Sequence, residues 1–116
     1  VNIEGGFMNT EIYYLYRDAS NYKNINREVI HGTLSDSQIN DIMKSLSEGE
    51  YFIPRQVGLP EARFGDISED DHCWFELSRI FTTDSEPTLE LTAEEMYKNF
   101  IAASGNWDET AWLNGD

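Results

Sequence analysis

The densest group of chemically reactive side chains lies in residues 66–73, which read Asp-Ile-Ser-Glu-Asp-Asp-His-Cys. Its four carboxylates and one imidazole could hold a divalent cation, because calcium and magnesium prefer oxygen ligands. The segment lacks the alternating ligand positions, central glycine and closing glutamate of an EF-hand loop. We therefore predict a solvated acidic turn here, with no metal ion and no cofactor.

His72 and Cys73 form a second reactive combination, because an imidazole can act as the base that activates a thiol. Asp70 or Asp71 could orient that imidazole. Neighbouring side chains in a strand point to opposite faces, however, so His72 and Cys73 would not meet if a strand begins here. Cys73 is then expected to be a small buried hydrophobic residue. The chain has no glycine-rich phosphate loop, nucleophile elbow or paired Cys-x-x-C motif, so the sequence leaves enzymatic activity undecided and leans against it.

Two arginines could complete a small-molecule site with this cluster. Arg17 ends a predicted strand, and Arg55 lies in a loop stiffened by two prolines. One functional alternative is therefore a small-molecule or metal site, enzymatic or sensory, in which one of these arginines joins Asp70, Asp71 and His72. The complete set of candidate binding residues is Arg17, Arg55, Glu69, Asp70, Asp71, His72 and Trp74.

Acidic residues are distributed unevenly along the chain, which has 116 residues and a formal net charge of −14. Residues 1–60 carry 8 acidic and 5 basic side chains, a net of −3, whereas residues 61–116 carry 14 and 3, a net of −11. A protein that binds a phosphate backbone needs a basic face, so direct nucleic-acid binding is not expected. The main functional hypothesis is a small acidic interaction protein that engages a basic protein surface through its acidic C-terminal half.

The composition also indicates the cellular compartment and the number of domains. A single cysteine cannot form an internal disulfide, which favours a reducing compartment such as the cytoplasm. No apolar run approaches the roughly 18 residues of a membrane span. Residues 1–7 precede Met8 and contain a Gly-Gly pair, so they are expected to be a leader or remnant. Residues 8–116 then suit a single domain.

Two strands are predicted in the first third of the chain. Residues 11–17 are aromatic and branched, and their apolar side chains on both faces predict a central strand. Residues 27–34 predict a second strand with Gly32 as a bulge. A short polar loop joins them, which indicates an antiparallel hairpin.

Helix-start signals occur twice. Ser35 and Gln38 form a capping box before a predicted helix at 36–47, and Gly49 is its expected stop. Thr92 and Glu95 repeat the box before a second helix that is expected to stop at a glycine. The predicted apolar stripes are Ile39, Ile42, Met43 and Leu46 in the first helix, and Met96, Tyr97, Phe100 and Ile101 in the second.

The region between the helices predicts two more strands. Residues 51–54 indicate a short edge strand leading into a rigid loop, because Pro54 cannot donate to a ladder. Residues 73–82 are rich in β-forming side chains, although their polarity does not alternate cleanly. The resulting fold class is α+β: an antiparallel sheet of about four strands, in the order β-β-α-β-β-α, with two helices packed on one face.

Aromatic residues leave further alternatives open. Tyr13, Tyr14 and Tyr16 could stack nucleic-acid bases, but the acidic chain favours a role in the core. A homodimer could form through an exposed strand or through the C-terminal tail, which carries Trp107 and Trp112.

Three strings carry a resemblance to other proteins: residues 14–23, 52–60 and 70–74. They resemble small acidic bacterial proteins of unknown function, of the kind found on mobile elements such as integron gene cassettes. The resemblance implies no activity and no catalytic residue, but it directs attention to these segments rather than to the helices.

Overall fold

The computed structural model describes residues 8–17, 22–61 and 73–108, which form four strands and three helices. The strands are β1 (Asn9–Arg17), β2 (Lys23–Ile30), β3 (Tyr51–Phe52) and β4 (Phe75–Thr83). The helices are α1 (Asp36–Ser45), α2 (Pro54–Val57) and α3 (Ala93–Ala103). The fold is therefore mixed α+β, as the sequence predicts. Residues 1–7 lie outside the described residues.

The strands form one antiparallel sheet in the order β2-β1-β4-β3. The predicted hairpin of β1 and β2 and the central position of β1 are confirmed. The predicted bounds of the second strand are wrong, because pairing runs from Lys23 to Ile30 rather than over 27–34. Gly32 follows the strand with a left-handed backbone, φ +85°, so it ends the pairing instead of forming a bulge within it.

The sheet does contain a bulge, and it lies in β4. Tyr13 pairs with Arg79 while its neighbour Tyr14 pairs with Leu77, which leaves Ser78 as an extra residue. Leu77 and Ile80 consequently both pack against the core although they are three positions apart. This shift in register explains why polar and apolar side chains do not alternate cleanly along β4.

Tyrosines form the centre of the core. Tyr14 and Tyr16 are fully buried, and the ring of Tyr14 lies 5.6 Å from that of Phe52 and 5.8 Å from that of Phe75. The hydroxyl of Tyr14 donates a hydrogen bond of 2.6 Å to the carbonyl oxygen of Pro60. Burial raises the pKa of Tyr14 far above its ordinary value. Tyr14 and Tyr16 are thus core residues, as predicted, whereas the prediction is wrong for Tyr13, which lies on the opposite face of the sheet.

All three helices contribute to this core. Ile42 of α1, Val57 of α2, and Met96 and Phe100 of α3 are fully buried and join one cluster with Ile12 of β1. Side chains at even positions of β1 point into this cluster, so the odd positions lie on the opposite face of the sheet.

Both predicted capping boxes are present. Gln38 N donates to Ser35 Oγ at 3.1 Å, and Ser35 N donates to Gln38 Oε1 at 2.9 Å. Thr92 and Glu95 make the same exchange at 3.1 and 3.0 Å. Each box satisfies two backbone N–H groups that have no partner within the helix.

The predicted helix stop and parts of the apolar stripes are wrong. α1 ends at Ser45, and Gly49 lies in the turn that follows rather than at the helix cap. Met43 and Ile101 are 42% and 43% exposed, because each lies at the margin of its helix's buried face.

A short helix replaces the predicted rigid loop. Pro54 is the first residue of α2, a position where its missing N–H costs no hydrogen bond. β3 therefore ends at Phe52, and it lies at the edge of the sheet as predicted. Because of α2, the element order is β-β-α-β-α-β-α.

Candidate functional site

Of the seven candidate binding residues, Arg17, Arg55 and Trp74 lie in the described ranges, and residues 69–72 lie outside them. Arg17 ends β1 and donates from Nε to Glu76 Oε2 at 2.8 Å and from Nη2 to Oε1 at 3.2 Å. This two-point contact joins β1 to β4, and the carboxylate raises the pKa of Arg17 above its ordinary value. Arg17 thus contributes to a cross-strand ion pair.

Arg55 forms a separate ion pair within its own turn. Its backbone N donates to Glu61 Oε2 at 2.9 Å, and its Nη2 donates to Oε1 of the same carboxylate at 3.3 Å. The side chain of Glu61 is only 8% exposed, so this contact fixes the segment after α2. Arg17 and Arg55 therefore bind different carboxylates in different elements.

Trp74 lies against Trp107, with ring centroids 6.5 Å apart. Trp107 also donates from Nε1 to the carbonyl oxygen of Ser45 at 3.0 Å, which attaches the chain after α3 to the end of α1. A shallow cavity of about 410 Å³ lies between the two indoles and Lys44, and neither Arg17 nor Arg55 lines it. Because Asp70, Asp71 and His72 lie outside the described ranges, the small-molecule site that combines them with Arg17 or Arg55 stays a prediction.

The face of the sheet away from the core concentrates cations. Cross-strand register pairs Arg17 with Lys23, and Tyr13 with both Arg27 and Arg79. Directly opposed residues share a face, and positions 13 and 17 of one strand do as well. Four of the eight basic residues in the chain consequently lie on this one face.

One of these cations neutralises a buried carboxylate. Arg27 Nε donates to Glu11 Oε2, and the side chain of Glu11 is only 6% exposed. This hydrogen bond holds the pKa of Glu11 below its ordinary value, although burial opposes the shift. The pair joins β1 to β2 as the Arg17 pair joins β1 to β4.

Arg79 is held by aromatic rings instead of a carboxylate. Its guanidinium carbon lies 5.5 Å from the ring centroid of Tyr13 and 4.9 Å from that of Phe81. The planes of the two rings are nearly parallel, with an angle of 16° between them, and the ring centroids lie 5.9 Å apart. Within the part of the chain that the structure describes, Arg79 forms no ion pair. Sequence reasoning missed this stack, because the bulge at Ser78 determines which β4 side chains face Tyr13.

Carboxylates collect on a different surface, which we call the acidic edge: the exposed side chains of Asp84, Glu86, Glu90, Glu94 and Glu95. They occupy the segment between β4 and the first turn of α3. Lys98 is the nearby cation, and its Nζ lies 3.1 Å from Glu94 Oε2.

Hydrogen bonds fix residues 88–93, the middle of this segment, along the outer side of β2. Thr88 N donates to Val29 O at 2.8 Å, and Val29 N donates to Thr88 Oγ1 at 2.9 Å. His31 N then donates to Leu91 O at 3.1 Å, and Ala93 N donates to His31 O at 2.7 Å. Glu90, the acidic residue between these anchors, is therefore displayed from an ordered backbone rather than from a free loop.

Comparison with protein-family models, curated proteins and solved structures finds no match. Among residues 8–17, 22–61 and 73–108, no group of three His, Cys, Asp or Glu side chains could share a metal ion. No helix in these ranges is both long and apolar enough to cross a membrane. The metal and catalytic interpretations of Asp70, Asp71 and His72 stay predictions, since these residues lie outside the described ranges.

Proposed function

We propose that this protein is a small acidic interaction protein that binds a basic protein surface through the acidic edge. The observation that carries the proposal is the series of five exposed carboxylates over residues 84–95, in a segment whose residues 88–93 are held on the outer side of β2 by hydrogen bonds. Its charge agrees in sign with the net −11 of residues 61–116.

Order in the segment makes a specific contact favourable. A binding segment that is already ordered loses less conformational entropy on association than a flexible one. A dense row of like charges also attracts a basic partner over several ångströms and speeds its approach. Both effects require the carboxylates to be exposed, as they are here.

The remaining parts of the proposal follow from the same architecture. We propose that α1 and α3 cover one face of the sheet, so that the acidic edge lies beside this layer and not beneath it. A cytoplasmic location fits the single cysteine, Cys73, which is buried and forms no disulfide. Glu69, Asp70 and Asp71 would add to the acidic surface, and this contribution is an expectation from the sequence.

A charge-neutralising variant tests the proposal. Asp84→Asn, Glu86→Gln and Glu90→Gln together remove three charges from the acidic edge without touching the capping glutamate or the ion-paired one. The probe is a small basic folded protein, lysozyme, with binding followed by titration calorimetry at low and at moderate salt. We expect about tenfold weaker binding at low salt and a shallower dependence on salt.

A matched control separates position from total charge. Asp36→Asn, Glu48→Gln and Glu50→Gln also remove three charges, from exposed positions outside the acidic edge, so both variants carry −11 in place of −14. The proposal expects the control to bind nearly as well as the wild type. Equal losses in the two variants would show that net charge alone drives binding, and the proposal would then be wrong.

A further inference from the structure

Among the described residues, nothing pairs with the outer side of β4 as a strand over most of its length. β3 pairs with β4 only at Phe75 and Glu76, and Leu77 N then donates to Glu50 O at 3.3 Å. Over residues 78–83, the described chain places no strand on that side. An edge of this kind presents unpaired N–H and C=O groups that can pair with another strand.

A groove runs along the open edge, between β4 and α1. It encloses about 330 Å³ and is lined by Ile39, Met43, Leu77, Arg79, Ile80 and Phe81, together with Ser78. Met43 is 42% exposed there although it is a large apolar side chain. Arg79 is the single charged residue of this lining, so the groove lacks the carboxylates that cover other parts of the surface.

We propose that the occupant of this edge is a second copy of the chain. Two β4 strands would pair antiparallel about a two-fold axis at Ile80, which makes a continuous sheet of eight strands. In this register Ile80 lies opposite the partner's Ile80, and Arg79 lies opposite the partner's Phe81. Ser78 lies opposite the partner's Thr82, and residues 77–83 contain no acid. This register therefore brings no two carboxylates together over residues 77–83.

The charge distribution favours a second copy at this edge over one elsewhere. Each chain carries −14, so self-association is opposed wherever acidic surfaces meet. Asp84 and Glu86 follow β4 directly, whereas Glu90 lies in residues 88–93 along β2, which β1 separates from β4. In the proposed dimer, the two β2 strands lie five strand spacings apart, about 24 Å. That distance exceeds the Debye length of about 8 Å in physiological salt, so the carboxylates along β2, such as Glu90, repel those of the other copy little.

The apolar surface of α1 favours the same arrangement. A two-fold axis perpendicular to the sheet places both α1 helices on one side of it, next to each other. Ile39 and Met43 of one copy then approach those of the other copy, and the groove is filled from both sides. The dimer would therefore remove exposed apolar surface from water as well as pairing the strand edge.

Sedimentation velocity of the full chain across a range of concentrations tests the proposal. We expect a species of twice the 13.4 kDa mass of one chain, and tighter association in 500 mM than in 50 mM salt, because screening weakens the residual repulsion. A monomer at every concentration and salt would overturn the proposal. Dimerisation that weakens as salt rises would also overturn it, since attraction between unlike charges would then hold the copies together.

Paired variants test the register. Ser78 and Thr82 are both exposed, and the proposed axis places each opposite the other in the partner. Ser78→Lys with Thr82→Lys sets two pairs of like charges across the interface, so the dimer should dissociate about tenfold more readily. Ser78→Glu with Thr82→Lys sets two attractive pairs instead, so dimerisation should be retained. Equal behaviour of the two double variants would show that another surface forms the contact. Unchanged circular dichroism in both variants confirms folding.

Discussion

Removing one buried hydroxyl, that of Tyr14, should destabilise the fold measurably. The substitution Tyr14→Phe keeps the ring, which contacts Phe52 and Phe75, and deletes only the donor to the carbonyl oxygen of Pro60. That hydrogen bond links the middle of β1 to the end of the segment after α2, and its length of 2.6 Å indicates a well-formed contact. The variant therefore isolates one long-range polar contact with little change in packing.

The expected magnitude follows from the burial of the donor. Tyr14 is fully buried, so water does not reach its side chain in the folded state. A deleted hydrogen bond of this kind costs about 1–2 kcal/mol of unfolding free energy, because the acceptor loses its partner. For a domain of this size, that corresponds to a decrease of about 4–8 °C in the melting temperature.

The pH dependence gives the prediction a second, independent signature. Burial raises the pKa of Tyr14 in the folded state, and the unfolded chain returns it to the ordinary value of about 10. Below pH 10 the phenol is protonated in both states, and its contribution to stability is complete. Above pH 10 the unfolded chain loses this proton while the folded protein keeps it, so the wild type loses stability as pH rises. Tyr14→Phe lacks that loss, and the difference between the two proteins should narrow.

Urea unfolding, followed by circular dichroism at pH 7 and at pH 10.5, measures both effects. Tyr22→Phe is the control, because it removes a hydroxyl from a side chain that is 69% exposed and should change stability little. A difference below about 0.5 kcal/mol in unfolding free energy between wild type and Tyr14→Phe at pH 7 would refute the hydrogen-bond argument. A difference that widens at pH 10.5 would refute the pKa argument.

Three further substitutions test other contacts. Arg27→Met removes the donor that lowers the pKa of Glu11. The loss of unfolding free energy should be largest near neutral pH and shrink as the pH falls through the acid range, which urea unfolding at pH 3–7 would measure. Thr92→Ala removes a helix cap and should lower the unfolding free energy by about 1 kcal/mol. The dependence of that free energy on urea concentration should not change. Gly58→Ala should lower the melting temperature more than Gly49→Ala. Both glycines have positive φ, but only at Gly58 would the new Cβ contact another side chain, at 3.1 Å from a methyl carbon of Leu91.

The parts of the fold that the sequence predicts are those determined by neighbouring residues. Each capping box forms within one turn, between Ser35 and Gln38 in one helix and between Thr92 and Glu95 in the other. Both helix starts can therefore be predicted without knowledge of the remaining chain. The central position of β1 is readable because its apolar side chains need cover on both faces.

The parts that the sequence does not predict depend on contacts between distant elements. Nothing in the sequence around Ser78 indicates a bulge. Only the pairing of β4 with β1 shows that Ser78 is the extra residue. The partner of Arg17 is 59 positions away, so its ion pair with Glu76 requires the register of β1 on β4. Tyr13, Arg79 and Phe81 form a stack for the same reason.

The hydrogen bonds between β2 and residues 88–93 set a limit on how far this sheet can grow. An open-ended fibre needs two free edges on every copy, because each added molecule must offer a new edge to the next. Here residues 88 to 93 already satisfy Val29 and His31 on the outer side of β2, and the carboxylates beside them repel an incoming strand. This end of β2 is therefore closed to a further strand. In the proposed dimer, the backbone of Val29 and His31 would then offer no pairing site to a third copy.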